Sequence, residues 1–174
     1  MNYHNIETDN MLNGSGLRVC LWLSGCTHNC NSCQNKQTWN PKSGIEFDSV
    51  AEKELFDKLS KEYISGITFT GGDPLHKSNC DGVYNLILKI RNQFGSSKNI
   101  WLYTGYSLDE ELNILSNDDG FNSVRKNIIC LCNVVVDGRF EKRLVDVNYP
   151  WAGSTNQKVI NVKESISNGK LVLL

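Results

Sequence analysis

Short apolar runs alternate with amphipathic stretches along the chain. Leu17 to Ser24 (LRVCLWLS) is almost continuously apolar and closes on Ser24-Gly25, the pattern of a buried strand. From Asp48, suited to cap a helix, Ala51, Leu55 and Leu59 recur at helical spacing, with Phe56 and Ser60 less cleanly, and predict a helix to about Tyr63. Gly66 to Thr70 is a second strand, broken by Gly71-Gly72-Asp73-Pro74, which can continue neither strand nor helix. Val83, Leu86, Ile87, Ile90 and Phe94 line one helix face, and Gly95 is placed to end that helix. Asn99 to Thr104 is a third strand, and Ser107 with Glu110 makes a capping box for a helix through Leu115. Ile128 to Val136 is a fourth, strongly β-branched strand closing in Asp137-Gly138; Gln157 to Val162 and Lys170 to Leu174 are weaker strand candidates.

Strands alternating with helices imply right-handed crossovers and a parallel sheet with helices outside it. The four strands then point one way, and their carboxyl ends read Ser24-Gly25, Thr70-Gly71, Thr104-Gly105 and Asp137-Gly138, each a polar residue followed by glycine. Parallel α/β proteins bind ligands at this edge, where glycine lets backbone approach the ligand. A complete eight-fold barrel takes ~200 residues or more. The 174 residues therefore suit one α/β domain, 1–174, folded as an open partial (β/α) barrel with a mostly parallel curved sheet and a lateral cleft.

Composition narrows the setting. Hydrophobic residues at 40% and aromatics at 9% are enough for one core. Eighteen basic and nineteen acidic residues leave a net charge of -1, with no basic block to track a phosphate backbone, so nucleic acid is not an expected partner. No apolar segment approaches the ~20 residues of a membrane span, and MNYHNIETDN lacks the basic start and apolar run of a secretion signal. A cytoplasmic protein with no membrane partner is expected, and seven cysteines in that setting point to metal ligation more than to disulfides.

Cys26, Cys30 and Cys33 have the spacing C-x3-C-x2-C, which lets three thiolates on one tight loop meet three corners of an iron-sulfur cube. Electron-transfer clusters normally use four cysteines. A fourth iron without a protein ligand is a place where amino and carboxylate groups of a substrate can coordinate. The competing reading is a structural zinc knot of three cysteines and His28; structural zinc usually draws on two separated ligand pairs, and the His28 ring would have to fold back sharply. Cys20, Cys130 and Cys132 read as core filling within strands, the last two sharing one strand face. Cys80, near a helix start, could lie exposed and is assigned no role.

The chain resembles the anaerobic ribonucleoside-triphosphate reductase activating proteins of the radical S-adenosylmethionine (SAM) superfamily nearly end to end. The matching stretches are MNYH, Asn13-Gly14-Ser15-Gly16, Ser24 to Cys33 with Asn35-Lys36 and Thr38-Trp39, Thr70 to Leu75, Ile100 to Tyr106, Val136 to Phe140, Trp151, Gly153-Ser154 and Asn156-Gln157. The resemblance implies that Cys26, Cys30 and Cys33 hold a [4Fe-4S] cluster and that Ser32, Cys33 and Gln34 lie beside SAM. It implies that Gly71, Gly72 and Asp73 receive the methionyl amino group, through exposed backbone carbonyls, and that Thr104 and Asp137 help to hold SAM or a nearby cation. It further implies reductive SAM cleavage, a glycyl radical placed on the large subunit of the reductase, and a one-electron donor such as flavodoxin. The cofactors carry that chemistry, so no catalytic side chain is assigned. Gln34 stands where the family usually has tyrosine, Ser15 where it has proline and Ala152 where it has arginine. Activation of another glycyl-radical enzyme such as pyruvate formate-lyase, radical chemistry on a small molecule, and a zinc-binding interaction module are the alternatives. The full-length resemblance argues against the first two.

Overall fold

The structure is a computed structural model that describes residues 1–115 and 123–174. Its strands are β1 (Asn2–Asn10), β2 (Arg18–Leu23), β3 (Ile45–Glu46), β4 (Gly66–Gly71), β5 (Asn99–Tyr103), β6 (Val134–Asp137) and β7 (Lys158–Asn161). Its helices are α1 (Ser49–Leu59), α2 (Cys80–Phe94), α3 (Ser123–Leu131) and α4 (Val162–Asn168). All seven strands join one sheet in the order β3-β1-β2-β4-β5-β6-β7. The inner four, β2, β4, β5 and β6, run parallel as expected, and antiparallel strands flank them on both sides.

The apolar runs become the inner strands because both sheet faces are covered. Val19, Leu21, Ile67, Phe69, Ile100, Leu102 and Val135 pack with α1 and α2 residues such as Leu55 and Ile87 in the main core. A second cluster holds Trp101, Val134, Val136 and Val159, with Trp151 edge-on to Trp101 and Ala152 against it. Arg18, fully buried, closes the amino-terminal edge of the strands: it donates to Thr68 Oγ1, Ile67 O and Asn99 Oδ1 and lies over the Trp101 ring. Asp48 caps α1 by accepting the N–H groups of Val50 and Ala51, and Gly95, at φ 57°, ends α2.

Four expectations need correction. The stretch 128–136 is not one strand: Ile128 to Leu131 complete α3, and β6 begins at Val134. Arg91 of α2 decides the break, donating from Nε and Nη2 to the carbonyl of Leu131 and from Nη2 to Asn133 Oδ1, so the end of α3 is satisfied by tertiary contact. Cys130 is therefore exposed on a helix, not core filling in a strand, whereas Cys20 and Cys132 are buried. Cys80 is buried as well.

Ser107 to Leu115 makes turns instead of a helix. Ser107 does open a single turn, but its N–H donates to Glu111, not Glu110, and Asn113 at φ 43° ends the turn so that Leu108, Leu112 and Ile114 can all be buried. β1 and α4 have no counterpart among the sequence-based expectations. β1 is mostly polar because only Tyr3, Ile6 and Asn10 face inward. The tail after Lys170 contributes a bridge between Leu173 and Ile160 of β7, not a full strand. Among the described residues no helix is long and apolar enough to cross a membrane.

Candidate functional site

The cysteine loop leaves the end of β2 at the carboxyl edge of the parallel strands. The N–H groups of Gly25 and Cys26 donate to Thr38 O and Trp39 O at 2.7 and 3.0 Å, which fixes the loop's first residues. Asn29 and Ser32 have φ of 50° and 62°, left-handed values that let the chain reverse tightly between the cysteines. Cys26, Cys30 and Cys33, all half-buried, consequently line one cleft, together with Gly71 at the end of β4, Gly72 and Asp73 after it, and Thr104 after β5. The backbone N–H of Asn35 donates to Cys33 Sγ at 3.3 Å. Burial pushes the Cys26 thiol up to about 11 and the Cys30 thiol upward, so a cation in the cleft is what would favour their thiolates.

Asp73 is the junction of this rim. At 2% exposure its carboxylate accepts from His28 Nε2 at 2.6 Å, Thr104 Oγ1 at 3.0 Å, Gly105 N at 3.0 Å and Leu75 N at 2.8 Å. Those four donors fill the acceptor positions of a carboxylate. The side chain thus binds the cysteine loop, its own turn and the end of β5 to one another. Its N–H donates to Gly25 O at 2.7 Å, and a Cβ on Gly72 would stand 2.6 Å from that same oxygen. The glycine after β4 is therefore required by the cysteine loop's own backbone. Gly105 likewise makes room for the His28 ring, which a Cβ would meet at 2.4 Å, and Tyr106 lies edge-on to that ring at 4.6 Å.

Not every expected residue reaches the cleft. Ser32 and Gln34 flank Cys33 but do not line it, and Gln34 is exposed. Asp137, 1% exposed, accepts the N–H groups of Leu108 at 2.8 Å and Lys158 at 3.3 Å and lines a neighbouring cleft with Glu110, Glu111 and Lys158. Burial raises the Asp137 carboxyl above its ordinary range. His28 entered the sequence reading only as a zinc ligand. Its partnership with Asp73, 45 residues away, leaves no sequence signal. Among the described residues no three His, Cys, Asp or Glu side chains gather as a site for a single ion, and no fourth cysteine lines the cleft.

Residues 12–160 match the family described as a 4Fe-4S single cluster domain. The anaerobic ribonucleoside-triphosphate reductase-activating protein of Escherichia coli (strain K12) is 38% identical, covering 94% of this chain and 100% of its own length. That of Enterobacteria phage T4 is also 38% identical, over 91% of this chain and 93% of its own. The chain belongs to this family of activating proteins. The Haemophilus influenzae member is 32% identical over 94% of the chain and 99% of its own length. The single-cluster match spans all the cleft residues, and the donor set fits: three half-buried thiols on one loop line one cleft, and a peptide N–H of the kind that stabilises cluster sulfurs already meets Cys33.

Proposed function

We propose that the chain activates an anaerobic ribonucleoside-triphosphate reductase by radical SAM chemistry, as a single domain whose sheet is an open partial (β/α) barrel, acting in the cytoplasm. The observation that carries this reading is the placing of Cys26, Cys30 and Cys33 in one cleft with the Gly71-Gly72 turn, at the carboxyl edge of parallel strands. A [4Fe-4S] cluster bound there would supply the electron for reductive carbon-sulfur cleavage of SAM, and with it the means to take the α-hydrogen of a glycine in the reductase.

The chain's own part is to bind, orient and shield. Cys26, Cys30 and Cys33 would hold the cluster, and with no fourth cysteine lining the cleft among the described residues they would leave a place for the amino and carboxylate groups of SAM. Carbonyls of the Gly71-Gly72 turn are the acceptors offered to the ammonium, because the Asp73 carboxylate is already committed. Thr104 contributes through that same carboxylate, and Asp137 through the backbone that walls the rim. A loop of the reductase would close the open side of the cleft and bring its glycine to the reacting group.

Anaerobic reconstitution should give about four irons and four sulfides per chain. Mixing the reduced protein and SAM with the reductase should give a glycine-centred doublet in electron paramagnetic resonance, with 5′-deoxyadenosine in proportion. Stoichiometric zinc without iron would establish the interaction-module reading instead. An intact cluster that cleaves SAM but radicalises only a different glycyl-radical enzyme, or consumes a small molecule, would move the chain to another branch of radical chemistry.

A further inference from the structure

An open groove of about 760 Å³ runs along the outside of the cysteine loop, lined by residues 28–31 and 139–143. Cys30, His28 and Phe140 border both this groove and the cleft, so the Cys30 corner can be approached from outside without passing the Gly71-Gly72 turn. Three cations, Arg139, Lys142 and Arg143, stand here against one lining carboxylate, Glu141, in a chain of 18 basic and 19 acidic residues overall. Arg139 pairs with Glu111 at 3.2 Å and Arg143 with Glu141 at 2.8 Å. With the arginine side chains 56% and 81% exposed, these pairs are screened and leave both cations available to a partner. Lys142 is exposed and makes no ion pair among the described residues. Val145 and Val147, 50% and 93% exposed, follow on the same segment with the exposed Asp146 between them, so residues 139–147 carry three cations against two carboxylates and add apolar contact surface.

Resting on the cluster reading above, we propose that this groove docks a small acidic one-electron donor protein carrying a low-potential flavin, which reduces the cluster through its Cys30 corner. The charge of the groove calls for an anionic face, and the position decides which partner brings it. Hydrogen abstraction must happen beside SAM at the corner without a cysteine, whereas electron transfer needs only closeness to some part of the cluster. A groove that abuts a ligating thiolate suits the second task. In the transfer, the donor's anionic flavin hydroquinone loses one electron to become the neutral semiquinone, and the cluster gains it. No bond forms or breaks and no proton moves.

The probe is flavodoxin in its hydroquinone form, mixed anaerobically with the reconstituted protein while cluster absorbance is followed by stopped flow. Lys142→Glu with Arg143→Glu should lower the second-order rate about ten-fold or more at low salt, and high salt should bring the unaltered protein towards the variant. Lys142→Glu alone should give an intermediate loss. Reduction by photoreduced 5-deazariboflavin, small and uncharged, should be the same in all three proteins, as should iron content. Equal flavodoxin rates would overturn the proposal, and so would a variant equally slow with the deazaflavin. A variant that accepts electrons from flavodoxin normally but, once reduced, fails to radicalise the reductase would assign the groove to the reductase. Failure of the unaltered protein to assemble an iron-sulfur cluster would instead sink the reading on which this one rests.

Discussion

Asp73 and His28 set the geometry of the rim from a single buried contact. His28 comes from the cysteine loop and Asp73 from the turn after β4, with side chains 5% and 2% exposed. Removing one partner strands a buried polar group, so His28→Ala and Asp73→Asn should each destabilise the apoprotein by about 3 kcal/mol in anaerobic urea unfolding. The double variant should lose clearly less than the sum; additivity within about 0.5 kcal/mol would mean that the two do not act as a pair. Single replacement of Cys26, Cys30 or Cys33 should remove reductive SAM cleavage. Cys20→Ala and Cys132→Ala, both buried, should cost about 1 kcal/mol with iron content unchanged, and exposed Cys130→Ala should stay within about 0.5 kcal/mol of the parent. Loss of SAM cleavage in a folded Cys130→Ala protein would refute the ligand assignment.

At the scale of elements, what decides a segment's state is where its backbone ends find partners. α3 contains the β-branched pair Ile128-Ile129 yet is helical, because it packs on α2 and its last carbonyl is met by Arg91. Arg91 also donates to Gly95 O and Lys98 O, binding the end of α2 to the start of β5. Arg91→Met keeps most of the side-chain volume and removes these bonds. It should cost about 2 kcal/mol and speed amide exchange in the last turn of α3; unchanged exchange there would show that packing alone holds the helix. The Ser107 turn makes the complementary point. A good cap begins it, but helix continuation would pull Leu108, Leu112 and Ile114 off a common buried side.

At the scale of the molecule, the parallel strands are enclosed by pairing on both sides. β1 and β3 cover one side, and β7 covers the other, itself paired with the tail through the Ile160–Leu173 bridge, Asn161 N–H to Val172 O and Leu174 N–H to Val159 O. Deleting residues 170–174 should leave iron binding intact while accelerating amide exchange in β7, since that strand would become an unprotected edge. Loss of iron on the same deletion would show the tail to be coupled to the cysteine cleft. The functional groups, by contrast, gather at one place: the cleft and the basic groove share Cys30 at the carboxyl edge.

The sequence alone determined β2, β4 and β5, the end of β6, α1, α2 and the three thiols. Each is a local signal: a dense apolar run, a 3.6-residue period with its caps, or a spacing that one short loop can satisfy. The resemblance set Gly72 against a ligand, whereas the oxygen that excludes a Cβ there belongs to Gly25. Tertiary structure decided the rest. The helical state of Ile128 to Leu131 depends on Arg91, 40 residues from the carbonyl it meets, and β1 becomes a strand only because β2 offers it an edge. His28 becomes the partner of Asp73 only once β4, β5 and the cysteine loop end at the same rim. Hydrogen bonds and burial between residues distant in sequence have no period and no spacing, so they acquire a direction only when the chain has folded.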